Sequence, residues 1–143
     1  MMKEKLKLIL KYLILFIIGG GTYVLLELIF RARSHWTMFI LGGICFILIG
    51  LINEIYGRET PLIPQMFQGS LLITSLEFIT GLIVNVKLGW DVWDYSDMPF
   101  NLMGQVCLPF SVLWFFVSLL AIVLDDYVRY KLFGQPKPQY HLL

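Results

Sequence analysis

Four runs of nearly unbroken apolar residues divide the chain, each bounded by charged or helix-breaking positions. A helix needs about 20 residues to cross about 30 Å of hydrocarbon, so the pattern predicts spans over residues 12–30, 36–55, 66–86 and 102–124. Lys11 and Arg31 bound the first, and a turn over residues 31–35 and Gly57-Arg58 bound the second. Pro61, Pro64 and Lys87 bound the third, and Asp125-Asp126 ends the fourth. Lys3, Lys5 and Lys7 ahead of an apolar stretch have the look of a secretory signal. The run is too long for one and has no small-x-small cleavage site, while Glu27 and Arg31 suit a first spanning helix. Residues 134–143, with Pro136 and Pro138, read as a flexible extended tail.

Composition agrees with the pattern. Of 143 residues, 58% are apolar and 15% charged, against about 45–50% and about 25% in soluble domains, which excludes a water-soluble enzyme, a disordered regulator and a nucleic-acid binder. The expected fold is all-α: an integral membrane four-helix bundle forming one transmembrane domain in the lipid bilayer. Eleven basic and ten acidic residues nearly cancel, but their distribution is informative. Lys3, Lys5, Lys7, Lys11, Arg58, Arg129, Lys131 and Lys137 fall on one side of the predicted topology, and Arg31, Arg33 and Lys87 on the other. That bias puts both termini in the cytoplasm and the loop after the third span outside. Cys45 and Cys107 lack the spacing of a metal or redox pair.

A short internal echo accompanies the spans. Leu26-Glu27 is repeated by Leu76-Glu77, and Gly42-Gly43-Ile44-Cys45 by Gly104-Gln105-Val106-Cys107, the sign of a degenerate 2+2 helix repeat about an axis along the membrane normal.

Candidate chemistry concentrates in the second half. Glu77 falls near the middle of the third span, where insertion scales assign an acidic residue about 2.5–3.5 kcal/mol, so it must be neutral, paired or wet. Such a carboxyl serves a proton-coupled transporter or a cation site, or else hydrogen-bonds a neighbouring helix. Glu27 precedes Arg31 by one turn, the spacing of a structural ion pair. Asn53 and Glu54 are expected to form a solvated cluster with Arg58, and Asp125, Asp126 and Arg129 to stop the last helix. The loop Gly89-Trp90-Asp91-Val92-Trp93-Asp94-Tyr95-Ser96-Asp97-Met98-Pro99-Phe100-Asn101 is rich in acids and aromatics. It suits a divalent cation or a ligand against an aromatic face, or equally a cap pairing its acids with Arg31 and Arg33. Asn101 and Gln105 are read as i,i+4 on the entry turn of the fourth helix. With Asn85, Glu27 and the loop they would form a polar pocket in the outer leaflet. There is no phosphate loop, HExxH helix or identifiable nucleophile–base pair, and no cofactor is expected.

The residues Ser75-Leu76-Glu77, Gly81, Asn85, Trp93-Asp94-Tyr95-Ser96, Pro99, Asn101, Gly104-Gln105-Val106-Cys107 and Phe110-Ser111-Val112-Leu113-Trp114 resemble the "putative ABC-transporter type IV", or CmpB-like, family of small multi-pass membrane proteins. The resemblance is close over residues 69–130. In the first half it departs, since the plain apolar stretch of residues 38–50 replaces a Gly-Pro-rich entry. It implies a permease-like protein with motif residues Glu77, Asn85, Trp93, Asp94, Tyr95, Ser96, Asn101, Gly104 and Gln105, and a separate cytoplasmic ATPase docking on the basic side. Three functional readings follow. In the first, a permease-type component uses Glu77 as its titrating group and the Asp94, Asn101 and Gln105 cluster to admit solute. The second is a structural or regulatory subunit. The third is a small intramembrane enzyme acting on a lipid-linked substrate through Asp94 and Tyr95. Four helices enclose little room, so a homo-oligomer or a partner membrane subunit is expected.

Overall fold

A computed structural model describes residues 1–56 and 60–143. It holds α1 (Met2–Arg31), α2 (Trp36–Tyr56), α3 (Leu62–Gly81) continued by a π-helical segment (Leu82–Lys87), strands β1 (Asn101–Leu102) and β2 (Val106–Cys107), and α4 (Leu108–Phe133). All four helical stretches are long and apolar enough to span a bilayer. The all-α fold with four spans is thus observed, and the only sheet among the described residues is the antiparallel pair β1–β2.

The helix ends move from their predicted places for local reasons. α1 takes in the Lys3 to Lys11 stretch and stops where Ala32 turns left-handed (φ 57°), its N–H bonding the Leu28 carbonyl. α3 begins at Leu62, a turn earlier than expected: Pro61 is its N-cap and Pro64 lies in the first turn, where the missing N–H leaves no bond unmade. The carbonyls of His141 and Leu142, in the tail, accept from the N–H groups of Leu62 and Ile63. α4 corrects the sequence reading at both ends. It starts at Leu108 rather than near residue 102, because Met103 and Gly104 both have positive φ (56° and 71°) and turn the chain into the β1–β2 hairpin. It then passes through Asp125-Asp126 to Phe133, so these acids do not stop the helix. Arg58, the expected partner of Asn53 and Glu54, lies outside the described residues.

The chain divides into two compact units. Unit 1 contains α1, α2 and the end of α4 from Ala121. Here glycine faces aromatic in both directions: Gly19 lies under Phe46, and a Cβ on Gly43 would come within 2.7 Å of the Phe16 ring, the close approach small residues permit between membrane helices. Gly21, by contrast, faces open space. Unit 2 contains α3, the π-helical segment, the loop and hairpin, α4 to Leu120, and residues 140–143. Its helices share a polar seam, with the Ser70 hydroxyl donating to the Ser111 carbonyl at 2.6 Å and Thr74 and Ser111 hydroxyls 2.8 Å apart.

The sequence echo is not an echo of backbone. Gly42 to Cys45 lies inside α2, whereas Gly104 to Cys107 forms the hairpin turn and β2.

Candidate functional site: a buried carboxyl that holds a loop

Glu77 lies on the buried stripe of α3 with Ile73 and Gly81 and is 1% exposed. Trp114 lies on the corresponding stripe of α4. The Trp114 indole N–H donates to Glu77 Oε2 at 2.7 Å, and the Tyr95 hydroxyl donates to Oε1 at 2.9 Å. One carboxyl therefore joins α3, α4 and the loop. The Tyr95 ring is held in turn by stacking on Phe110, at a centroid separation of 4.7 Å and an interplanar angle of 14°. A carboxyl in an apolar span is costly unless its oxygens are met by donors, and here both are.

The amides tie the other end of the loop. Asn85 lies in the π-helical segment, where the wider turn alters the angular step between side chains. Its Oδ1 accepts from the Val92 N–H at 2.7 Å, and its Nδ2 donates to Gln105 Oε1 at 2.9 Å. Gln105 Nε2 donates to the Met103 carbonyl at 2.9 Å, and the Trp93 indole donates to the Gln105 carbonyl at 2.8 Å. Gly81 permits this closure, since a Cβ there would lie 2.6 Å from Gln105 Oε1 and 3.0 Å from the Trp93 ring.

Asn101 and Gln105 do not share a helical face as predicted. Asn101 is on β1, its Nδ2 donating to the Met98 carbonyl at 2.9 Å and its Oδ1 accepting from the Gly104 N–H at 3.0 Å, so it staples the hairpin turn. Asp94 is exposed and bonds locally, accepting from both the hydroxyl and the N–H of Ser96. Those two bonds hold its carboxyl below the usual carboxylate range. Asp91 and Asp97 are exposed, and among the described residues no three His, Cys, Asp or Glu side chains are grouped to hold a metal ion. Glu27 belongs to unit 1, where it is mostly buried and accepts from Arg31 Nη1 at 3.0 Å.

Each residue of the Trp93-Asp94-Tyr95-Ser96 stretch thus has a distinct bond: indole to Gln105, carboxylate to Ser96, phenol to Glu77. Sequence reasoning named Glu77, Asp94, Tyr95, Asn101, Gln105, Asn85 and Glu27 as site residues and Trp93 as a motif residue of the resemblance, but gave no role to Trp114 or Gly81. The available signal was a pair of tryptophans, donor-only side chains that need an acceptor when buried in apolar surroundings.

No solved structure matches the chain. Residues 10–141, most of its length, match the family described as "Putative ABC-transporter type IV". The helices that could each cross a bilayer and that match together identify a multi-pass membrane protein belonging to this ABC-transporter type IV family.

Proposed function

We propose that this chain is a transport-associated membrane subunit whose loop between α3 and α4 is a fixed platform for another member of the assembly. The observation that carries this reading is the engagement of Glu77: both oxygens take a donor, one from the loop and one from α4. A solute pathway needs polar groups with hydrogen-bonding capacity to offer, whereas Asn85, Asn101 and Gln105 direct theirs into the loop itself. The bias of basic residues supports an orientation with both termini in the cytoplasm and the loop outside. On the cytoplasmic side, Lys3, Lys5, Lys7 and Lys11, all on α1, offer a positively charged docking surface to a separate ATPase, the partner that the family description implies.

Glu77→Gln tests this. A glutamine supplies an acceptor to Trp114 and a donor to Tyr95, whose hydroxyl can also accept. The variant should therefore keep the assembly and its transport phenotype, whereas Glu77→Leu should lose both. A permease reading keeps one observation on its side: the Tyr95 hydroxyl, able to donate and accept, stands between Glu77 and the loop. If that reading holds, Glu77→Gln abolishes pH-dependent flux in proteoliposomes while the loop stays ordered.

A further inference from the structure

Unit 1 carries a second buried polar cluster, built differently. Asp125 and Arg129 are 1% and 2% exposed on α4, and Asn53 is 8% exposed on α2. Arg129 donates through Nε to Asp125 Oδ2 at 3.0 Å and through Nη1 to Glu54 Oε1 at 3.2 Å. Asn53 Nδ2 donates to Asp126 Oδ1 at 2.7 Å. α2 makes room for the arrangement at Gly50, where a Cβ would lie 2.6 Å from Asp125 Oδ1.

Three buried atoms are left without a hydrogen-bond partner: Asp125 Oδ1, Asn53 Oδ1 and Arg129 Nη2. Buried polar atoms are nearly always satisfied, and a group of orphans points to water or an ion. Two are hard oxygen acceptors, a carboxylate and an amide, in a set where two carboxyls, those of Asp125 and Glu54, share the Arg129 guanidinium. Oxygen ligands with excess negative charge suit a cation. The absence, among the described residues, of three grouped His, Cys, Asp or Glu side chains able to hold a metal argues against a dehydrated divalent ion. The Arg129 Nη2 group needs an acceptor, which a water in the ion's remaining hydration shell provides.

We propose that Asp125 Oδ1 and Asn53 Oδ1 bind a partly hydrated monovalent cation, with Arg129 Nη2 donating to one of its waters. The ion-binding chemistry of this chain then belongs to the Asn53–Asp125–Arg129 cluster and is independent of Glu77.

The test uses the full chain in nanodiscs, with sodium as the probe and the sodium NMR linewidth as the readout. The expected result is excess broadening that saturates with sodium, is absent with empty nanodiscs, is lost in Asp125→Asn and Asn53→Ala, and persists in Glu77→Gln. Circular dichroism checks that each variant is folded, and if Asp125→Asn is not, Asn53→Ala decides. Broadening unchanged in folded Asn53→Ala overturns the assignment. So does proton uptake by the wild type with no sodium broadening, since the occupant is then a proton.

Discussion

Glu77, Tyr95 and Trp114 tie the loop to the helices of unit 2, and removing either donor takes a hydrogen bond from a buried carboxyl oxygen. The net cost of orphaning a buried polar group is about 1–3 kcal/mol, more when the group is charged. Tyr95→Phe and Trp114→Phe should each lower stability by about that amount in chemical denaturation in lipid, and Glu77→Gln by less than either. Asp94 behaves differently because it is exposed. Its carboxyl is held below its ordinary value of 3.8 by Ser96. The turn it makes is therefore fully supported above that pH and weakens as pH falls through the lower folded value. Ser96→Ala should remove this acid-sensitive component, as read by limited proteolysis of the loop across the acid range. Burial pushes the Cys107 thiol up, against a backbone hydrogen bond at Phe110 that pulls it down. With Cys107 almost wholly buried, maleimide should modify it slowly at neutral pH and readily once the chain is unfolded.

At the scale of elements, the apolar runs located all four helices, since span length and hydropathy are set by the bilayer. Their ends were less legible. The run through residues 102–107 is apolar enough to be helix, yet Met103 and Gly104 at positive φ make it a hairpin, a backbone choice that hydropathy does not encode. Likewise Asp125-Asp126 read as a stop signal, but pairing with Arg129 and Asn53 keeps those charges inside a continuing helix. Glu77 was visible as a candidate because an acid in an apolar run is conspicuous. Its partners, 18 and 37 residues away, depend on how the loop folds back. Gly81 joins two elements: Gly81→Ala should push Gln105 and Trp93 away from α3, costing about 1–3 kcal/mol as overpacking. It should also increase amide exchange in residues 92–107 while leaving the α1–α2 pair unchanged.

For the whole molecule, two statements follow from composition and the family match: the chain is a multi-pass membrane protein, and it belongs to an ABC-transporter-type family. Topology is testable on Phe100, 82% exposed on the loop. A Phe100→Cys variant should be labelled by an impermeant maleimide added to intact cells, whereas a cysteine at Lys137 should be labelled only after the membrane is opened. The reverse pattern would invert the orientation. The central claim is that Glu77 holds the loop to the membrane helices, and hydrogen exchange of residues 92–107 in nanodiscs tests it most directly. The account predicts wild-type protection in Glu77→Gln and lost protection in Glu77→Leu with the helices still formed. Full protection of the loop in Glu77→Leu would contradict it.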